Sequence, residues 1–316
     1  MSALSWRAVA VGGGTGLPKV LFSLLRMGCD TTAVVTMADD GGSSGHLRRE
    51  LGMLPPGDAR NCLVAMAADP DSSLARVFSY RFPLGEGLAG HALGNLVIAA
   101  LADIEGSFPA ALAAAGKLLS ARGRVLPSTL DDVVLTAEGV WGSRVVGQVN
   151  VAESVEPIDC VRFAAKEPAR AYGPAVDAIR GADAVIVGPG SLFTSILPNF
   201  LVDGIADALR ETRGRVVYVG NVANQRGETA GLDAADHLDA LARHGLTDVF
   251  DVALFHDSAK FALPGEVEPV AANAAQIERV RAMGVEVVLA DVADRLEPAH
   301  HDRVLLSRAL EAVLRT

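Results

Sequence analysis

The sequence has little cysteine, few aromatic residues and no excess of positive charge. Its three cysteines, Cys29, Cys62 and Cys160, show no Cys-x-x-Cys spacing, which favours free, partly buried thiols in a reducing compartment. Aromatic residues make up 5% of the chain, which weakens the case for a base-stacking platform. The formal net charge of −10 argues against broad nucleic-acid binding but leaves room for a local basic pocket for phosphates.

A long apolar segment is also missing from the start of the sequence. In residues 1–16, glycines break a short apolar run well before it reaches membrane-spanning length, and no Ala-x-Ala-like cleavage site is visible. We therefore expect no membrane span and a cytoplasmic location. With 316 residues, of which 50% are hydrophobic and 21% charged, the chain can fold as one large α/β domain or two modest ones.

Several motifs of known catalytic classes are absent. The sequence shows no Ser–His–Asp order, no His-Glu-x-x-His and no nucleophile elbow, so hydrolase chemistry has no motif. His300, His301 and Asp302 stand at the start of a charged terminal helix. At such a position a capping, solvent-facing role is favoured over metal binding.

Polar, glycine-rich loops follow the apolar runs that read as buried strands. The first loop lies between a strand at Arg7–Val11 and a helix at Lys19–Met27, and it contains Gly12, Gly13, Gly14, Thr15, Gly16 and Leu17. Bare backbone N–H groups at a helix N-terminus favour an anion. A dinucleotide fingerprint would need glycine where Leu17 stands, which counts against an NAD(P) oxidoreductase. The loop therefore predicts a phosphate or another anion.

The second loop follows a predicted strand at Thr32–Met37. It begins with Asp39 and Asp40 and continues through the Gly-Gly-Ser-Ser-Gly segment that holds Ser43 and Ser44. An acid at this position can hold a ribose hydroxyl, and two acids can hold Mg²⁺; the sequence leaves both open. Further along, Asp58 reads equally as a helix N-cap, whereas Arg60 would suit a phosphate or carboxylate and Asn61 is hard to explain as a cap.

Two more loops follow buried strands at Ala184–Val187 and Arg215–Val219. The first contributes Gly188, Gly190, Ser191 and Thr194, and the second contributes Asn221. Asn95 begins an apolar helix, where its amide needs a partner, whereas neighbouring His91 is more often a capping residue. Because the carboxyl ends of parallel strands lie on one edge of a sheet and crossovers are right-handed, these loops should meet in one crevice.

These patterns predict an α/β fold: a Rossmann-like, doubly wound, mostly parallel sheet with helical and β-hairpin inserts. Alternating β-formers with Gly-Ser turn signals place a small antiparallel hairpin in residues 124–151. We expect that hairpin to belong to an inserted subdomain around residues 85–175.

Long strings of the sequence resemble the YvcK family, which is called gluconeogenesis factor. The family belongs to the CofD-like superfamily, together with the 2-phospho-L-lactate transferases. The strings are Gly12–Leu17, Thr36–Gly45, Pro55–Asn61, Leu93–Asn95, Gly188–Asn199, and Gly227–Thr229 with the later Asp236 and His237. They cover nearly the whole chain, so the resemblance implies one domain over residues 1–316.

The resemblance implies a UDP-sugar-binding regulator, with UDP-N-acetylglucosamine as the expected ligand type. Members of this branch support growth on gluconeogenic carbon sources, cell shape and peptidoglycan synthesis, which also implies a regulatory protein partner and leaves a homo-oligomer possible. The transferase branch instead moves phospholactate from a guanylylated donor onto a deazaflavin precursor with Mg²⁺, and its strand-end acid matches Asp39 and Asp40. Two departures are His300, where arginine is expected in the regulator branch, and Arg226, where an apolar residue or proline is expected.

Overall fold

The computed structural model describes residues 6–265 and 267–315. Residues 1–5 belong to the N-terminal stretch discussed above and lie outside the described residues. The predicted domain over residues 1–316 therefore begins and ends outside the described residues. The strands are β1 (Arg7–Gly12), β2 (Asp30–Val35), β3 (Gly123–Pro127), β4 (Leu135–Gly139), β5 (Arg144–Val146), β6 (Ile158–Phe163), β7 (Ala184–Val187), β8 (Arg215–Val219), β9 (Val252–His256) and β10 (Glu286–Ala290).

Helices surround these strands. They are α1 (Leu17–Arg26), α2 (Gly42–Leu51), α3 (Gly57–Ala65), α4 (Ser73–Ser79), α5 (Leu93–Glu105), α6 (Phe108–Leu118), α7 (Gln148–Ala152), α8 (Gly173–Arg180), α9 (Leu197–Phe200), α10 (Ile205–Glu211), α11 (Ala234–Arg243), α12 (Ala274–Ala282) and α13 (Arg303–Arg315). A π-helical turn, Leu192–Ile196, precedes α9. In the part of the chain that the structure describes, no helix has both the length and the apolar character needed to cross a bilayer.

The main sheet has seven parallel strands in the order β10-β9-β8-β7-β1-β2-β3. The strand order reverses between β1 and β7, which is the topological switch point where open α/β sheets bind ligands. The central strands are apolar because both of their faces are covered; Val11, Val34 and Val187 are fully buried. The predicted Rossmann-like, doubly wound, mostly parallel sheet is confirmed.

A second sheet has three antiparallel strands in the order β5-β4-β6. The predicted hairpin is therefore present as β4 and β5, but the prediction was wrong to include β3 in it. Strand β3 instead pairs in parallel with β2 at the edge of the main sheet, where Val125 is buried. Because its partner strand β2 lies about ninety positions earlier in the chain, no local sequence pattern could predict this pairing.

Two local predictions also need correction. Strand β2 ends at Val35 rather than at Met37, and the Gly-Gly-Ser-Ser-Gly segment begins helix α2 rather than forming an open loop. The glycines suit a helix here because α2 packs against the preceding backbone. A Cβ atom on Gly45 would lie 1.8 Å from the carbonyl oxygen of Asp40, so any larger residue would push the helix away.

Candidate functional site

The glycine turns that follow β1 and β7 are in direct contact at the switch point. A Cβ atom on Gly16 would lie 2.3 Å from the carbonyl oxygen of Pro189, and one on Gly190 would lie 3.2 Å from that of Gly13. Real Cβ atoms do not approach backbone oxygen as closely as 2.3 Å, so glycine at position 16 is what allows the turns to meet. The sequence expectation that these loops converge is correct for this pair.

A pocket of about 130 Å³ opens beside the two turns. It is lined by the first turn and α1, by the second turn, by the loop after β8, and by the segment before α13. The lining residues are Gly14, Thr15, Gly16, Lys19, Pro189, Gly190, Ser191, Asn221, Val222, Ala223, Asn224, Gln225, Ala299, His300 and His301. Six of the residues predicted to bind a ligand, Gly14, Thr15, Gly16, Gly190, Ser191 and Asn221, therefore border one pocket.

Hydrogen bonds of Lys19 and His301 hold the segment before α13 against the rest of the pocket. The Lys19 ammonium group donates to the carbonyl oxygen of His301 at 2.7 Å, and His301 Nε2 lies 3.1 Å from the carbonyl oxygen of Gly220. Because that oxygen can only accept, the Nε2 atom carries the proton. Burial first, and then the charge of Lys19, lowers the pKa of His301 to about 3. The imidazole is neutral, while exposed His300 stands beside it on the pocket wall.

Two residues that were predicted to bind a ligand, Asn221 and Thr194, make hydrogen bonds that hold the turn after β7 in place. The Asn221 amide accepts from Gly190 N at 3.2 Å and donates to Gly190 O at 2.9 Å. Thr194 is buried and donates to Glu228 at 2.6 Å.

Other residues predicted to bind a ligand lie beneath the turns. The side chain of Leu17 is fully buried in the core. Gly12 and Gly188 are buried under the turns, and the φ of +79° at Gly188 is a conformation that glycine adopts without strain. Their contact with a ligand stays a prediction.

The acidic residues after β2 separate into different roles. The Asp40 carboxylate accepts from Gln148 N at 2.8 Å and from Val149 N at 3.0 Å, so it caps the N-terminus of α7. The Asp39 carboxylate accepts from Gly41 N at 3.0 Å. Its charge acts on Asp58, whose carboxylate accepts from Gly14 N. Burial first, and then the charge of Asp39, raises the pKa of Asp58 to about 6.

These acids are the oxygen donors that a divalent cation prefers. The predicted pair was Asp39 and Asp40, but Asp40 is engaged with α7, and Asp58 is the carboxylate on which the charge of Asp39 acts. Within residues 6–265 and 267–315, no group of three or more His, Cys, Asp or Glu side chains is arranged as a metal site, including the His300–Asp302 segment. Asp302 caps α13 by accepting from Val304 N and Leu305 N, as expected, but the expectation of solvent-facing residues is wrong for His301, which is buried.

A buried polar cluster joins α2 to α5. Ser43 Oγ lies 3.1 Å from His91 Nδ1, 3.0 Å from Asn95 Nδ2 and 3.4 Å from Ala92 N. A Ser–His pair can serve nucleophilic catalysis. Here, however, the Ser43 hydroxyl is buried and also accepts from its two other neighbours, so it connects the helices. Asn95 Oδ1 is buried with no protein partner among the described residues.

Helix α3 is held by the remaining predicted residues. Arg60 is buried and donates to Phe78 O at 3.3 Å and to Asn61 Oδ1 at 2.6 Å. Burial, followed by the charge of nearby Arg81, lowers the pKa of Arg60. Ser44 Oγ accepts from Gly57 N at 3.1 Å, at the start of the same helix. These contacts place α3 so that Asp58 reaches the first glycine turn, where a Cβ atom on Gly13 would lie 2.6 Å from Asp58 Oδ2.

Sequence reasoning missed two residues that stand out in the structure. Lys19 lies in the first turn of the helix that follows the glycine loop, and that position alone could have indicated it. Asp58 was read equally as an N-cap, but the Asp58 carboxylate lies on Gly14 and not on its own helix start. Residues 222–225 lie in the loop after β8 that was predicted to join the site, although only Asn221 was named from it. Ala299 carries no local signal, because the fold brings it to the pocket from a distant part of the chain.

Together these features define an α/β protein of the doubly wound class whose candidate site lies at the switch point of a parallel sheet. Residues 8–293 match the family model described as 2-phospho-L-lactate transferase CofD. The chain belongs to the CofD family and, within it, to the gluconeogenesis factors, as the relatives below show.

Proteins named gluconeogenesis factor match most of the chain. The Bacillus subtilis gluconeogenesis factor is 42% identical over 88% of this chain and 88% of its own length. The putative gluconeogenesis factor of Thermotoga maritima is 40% identical over 98% of this chain and 99% of its own length. A crystal structure of a UPF0052 family member from Bacillus halodurans has a TM-score of 0.90 and 36% identity, covering 98% of this chain and 100% of that one.

Proposed function

We propose that the protein binds a UDP-sugar of the UDP-N-acetylglucosamine type at the switch-point pocket and acts as a regulatory protein without turnover. The observation that carries this proposal is the contact between the two glycine turns. Gly16 touches Pro189 at the place where α1 begins, and α1 has no side-chain cap. Pro18 has no N–H and Lys19 N donates to Gly16 O at 3.0 Å. The backbone N–H groups of Thr15, Gly16 and Leu17, at the end of the turn, are therefore the ones suited to an anion such as a diphosphate.

Side chains on the pocket wall support the same ligand class. The Lys19 ammonium group has three N–H donors, one of which binds His301 O, so it can hold a phosphate oxygen as well. Thr15 and Ser191 add hydroxyl groups from the two turns. His300 stands where the related regulators are expected to have arginine, and an imidazole is a weaker partner for phosphate than a bidentate guanidinium.

The biological role follows from the ligand and the family. We propose a cytoplasmic regulator that supports growth on gluconeogenic carbon sources, cell shape and peptidoglycan synthesis, through a protein partner that senses the ligand-bound state. The names of the relatives support the link to gluconeogenesis. The net charge of −10 gives no support to nucleic acid as the partner.

Isothermal titration calorimetry with UDP-N-acetylglucosamine tests this proposal. Lys19→Ala should weaken binding by about tenfold or more, since hydrogen bonds to charged groups contribute about 1.5–3 kcal/mol. Lys117→Ala, on the exposed surface of α6, is the matched control and should bind as the wild type does. The absence of heat at millimolar UDP-N-acetylglucosamine, together with binding of guanine nucleotides, would overturn the proposal.

A second candidate function is a Mg²⁺-dependent 2-phospho-L-lactate transferase of coenzyme F420 biosynthesis. The observation that favours it is the electrostatic interaction between the carboxylates of Asp39 and Asp58, the second of which lies directly beside the first glycine turn. The match to the CofD family model adds support. In that reaction the two acids would hold the cation, which would neutralise charge on the phosphoryl group.

The test of this second candidate is product formation from guanylylated phospholactate and a deazaflavin acceptor in the presence of Mg²⁺. Asp39→Asn should abolish turnover while leaving the circular dichroism spectrum unchanged. If properly folded wild-type protein yields no product, the transferase candidate is removed and the binding proposal stands on its own test.

A further inference from the structure

Helix α5 has apolar side chains on the side facing solvent as well as on the side facing the core. Its buried side includes Asn95 and Ile98, and Val97 is partly buried against the core. The opposite side carries a stripe of the partly buried Leu93 and Leu96 and the exposed Ala100 and Ile104. The spacing of three and four residues places this stripe on one face. Ile104 is 74% exposed and Ala100 is also exposed. A helix that is apolar on all sides is normally covered on all sides.

Neighbouring segments extend the exposed stripe. On α4, Leu74 and Val77 are exposed three residues apart, and Tyr80 follows at the same interval. The end of α4 lies against the start of α5, because Leu93 N donates to Tyr80 O at 2.8 Å. We define the α4–α5 face as the exposed apolar residues of these two helices. Such contiguous apolar surface on a folded chain marks an interaction site.

We propose that the α4–α5 face is the interface of a two-fold symmetric homodimer in which α5 packs antiparallel against α5 of a second copy. The inference goes beyond the proposed function and does not depend on the ligand. When two stripes run antiparallel about the midpoint between positions 97 and 100, Leu93 of one copy lies opposite Ile104 of the other.

This pairing places the small Ala100 of each copy near the centre and large residues at both ends. Alanine at the centre lets two helix axes approach to about 8–10 Å, the usual distance for packed helices. The same patch then serves both copies, which is what a two-fold interface requires. Leu84, 81% exposed in the loop between α4 and α5, adds apolar surface next to the stripe.

Charge at the two ends of α5 also favours a second copy. The C-terminal end carries Asp103 and Glu105, which add to the negative end of the helix dipole. Arg81 is bridged to Ala92 at the N-terminal end. An antiparallel arrangement brings Arg81 of each copy to the acidic end of the other. An anionic membrane surface would instead require basic residues around the apolar face.

Sedimentation velocity and light scattering over a dilution series test the proposal. The wild type should have twice the 32.8 kDa mass of the chain, and Ala100→Arg should have the mass of one chain with an unchanged circular dichroism spectrum. The control is Val155→Arg, because Val155 is fully exposed outside this face; it should remain a dimer. A wild type that is monomeric at every concentration, or a dimer that Ala100→Arg leaves intact, would overturn the proposal.

Charge reversal separates a second copy from a different protein on the same face. Arg81→Glu should raise the dissociation constant of the dimer by about tenfold, the order found for a close interfacial charge pair. Adding Asp103→Arg and Glu105→Arg in the same chain should restore the wild-type constant, since each copy supplies both sides of the contact. If the triple variant dissociates further than Arg81→Glu, the antiparallel arrangement is wrong.

Discussion

At the scale of single residues, the candidate site depends on two glycines, whose missing side chains leave room for close contacts, and on the carboxylate of Asp58. Gly16 permits the contact between the two turns, and Gly13 leaves the space that Asp58 occupies. The identity of these glycines could be read from the sequence, because glycine-rich turns after apolar strands predict close backbone approach. The role of Asp58 could not, since an acid after Pro-Pro-Gly suits a helix cap equally well.

The ionisation of Asp58 gives a test of its surroundings. Folding raises its pKa from an ordinary value of 3.8 to about 6, so it contributes stability below pH 3.8 that is lost as the pH rises through about 6. Asp58→Asn imitates the protonated acid. The variant should match the wild type near pH 3 and exceed it at pH 8 by up to about 3 kcal/mol in urea unfolding.

Asp71→Asn, on an exposed loop, is the control for the loss of one negative charge. It should change the free energy of unfolding by less than about 0.5 kcal/mol at either pH. Equal stability of Asp58→Asn and the wild type across the whole pH range would show that neither burial nor Asp39 acts on this carboxylate.

The contact between turns can be tested through Gly16→Ala. The added methyl group would meet Pro189 O at 2.3 Å, so the turns must separate, and overpacking of this kind costs about 1–3 kcal/mol. Ligand affinity should fall together with the melting temperature. Gly173→Ala, where a Cβ atom meets nothing within 4 Å at the start of α8, should leave both unchanged or slightly raise the melting temperature.

At the scale of secondary-structure elements, polar residues that the sequence assigns to a ligand often join one element to another. Asp40 caps α7, Ser43 bonds α5, and Asn221 holds the turn after β7. A sequence shows that a residue is polar and lies at a strand end, but it does not show which distant backbone groups will need a partner there. The elements themselves were predicted well where apolar runs were long, as for β7 and β8.

Asp40 provides the element-scale test. Because its carboxylate accepts two N–H groups at the start of α7, Asp40→Ala should lower the free energy of unfolding by about 1–2 kcal/mol, as loss of an N-cap does. Asp40→Asn keeps an acceptor oxygen and should lose less. A large loss of ligand affinity with an unchanged melting temperature would instead show that Asp40 contacts the ligand, as the sequence predicted.

At the scale of the whole molecule, the sequence predicted the class of fold and the edge of the sheet that carries the site. Four polar loops after four apolar strands were enough, because all parallel strands end on one edge. The positions of β3 and of the C-terminal segment could not be predicted. Strand β3 pairs with β2 across α2–α6, and His301 reaches Gly220 across 81 positions.

Two buried histidines should make the whole molecule sensitive to acid. Burial lowers the pKa of His237 to about 4 and that of His301 to about 3. The unfolded chain therefore binds more protons below about pH 6.5, and stability should fall as the pH drops, by about 2 kcal/mol for each histidine at pH 5. Asp58, whose pKa is raised, adds stability as the pH drops. The fall in the free energy of unfolding, measured with urea, should therefore be steeper in Asp58→Asn. A flat profile between pH 7 and pH 5 in that variant would contradict this account.

The central claim is that the turns after β1 and β7 hold the diphosphate of one ligand together. Amide hydrogen exchange with and without saturating UDP-N-acetylglucosamine tests it most directly. We predict that backbone amides 15–17 and 191–192 become protected together, since Gly14, Gly190 and Phe193 already donate to protein acceptors. Protection of one turn alone, or protection confined to residues away from both turns, would contradict the claim.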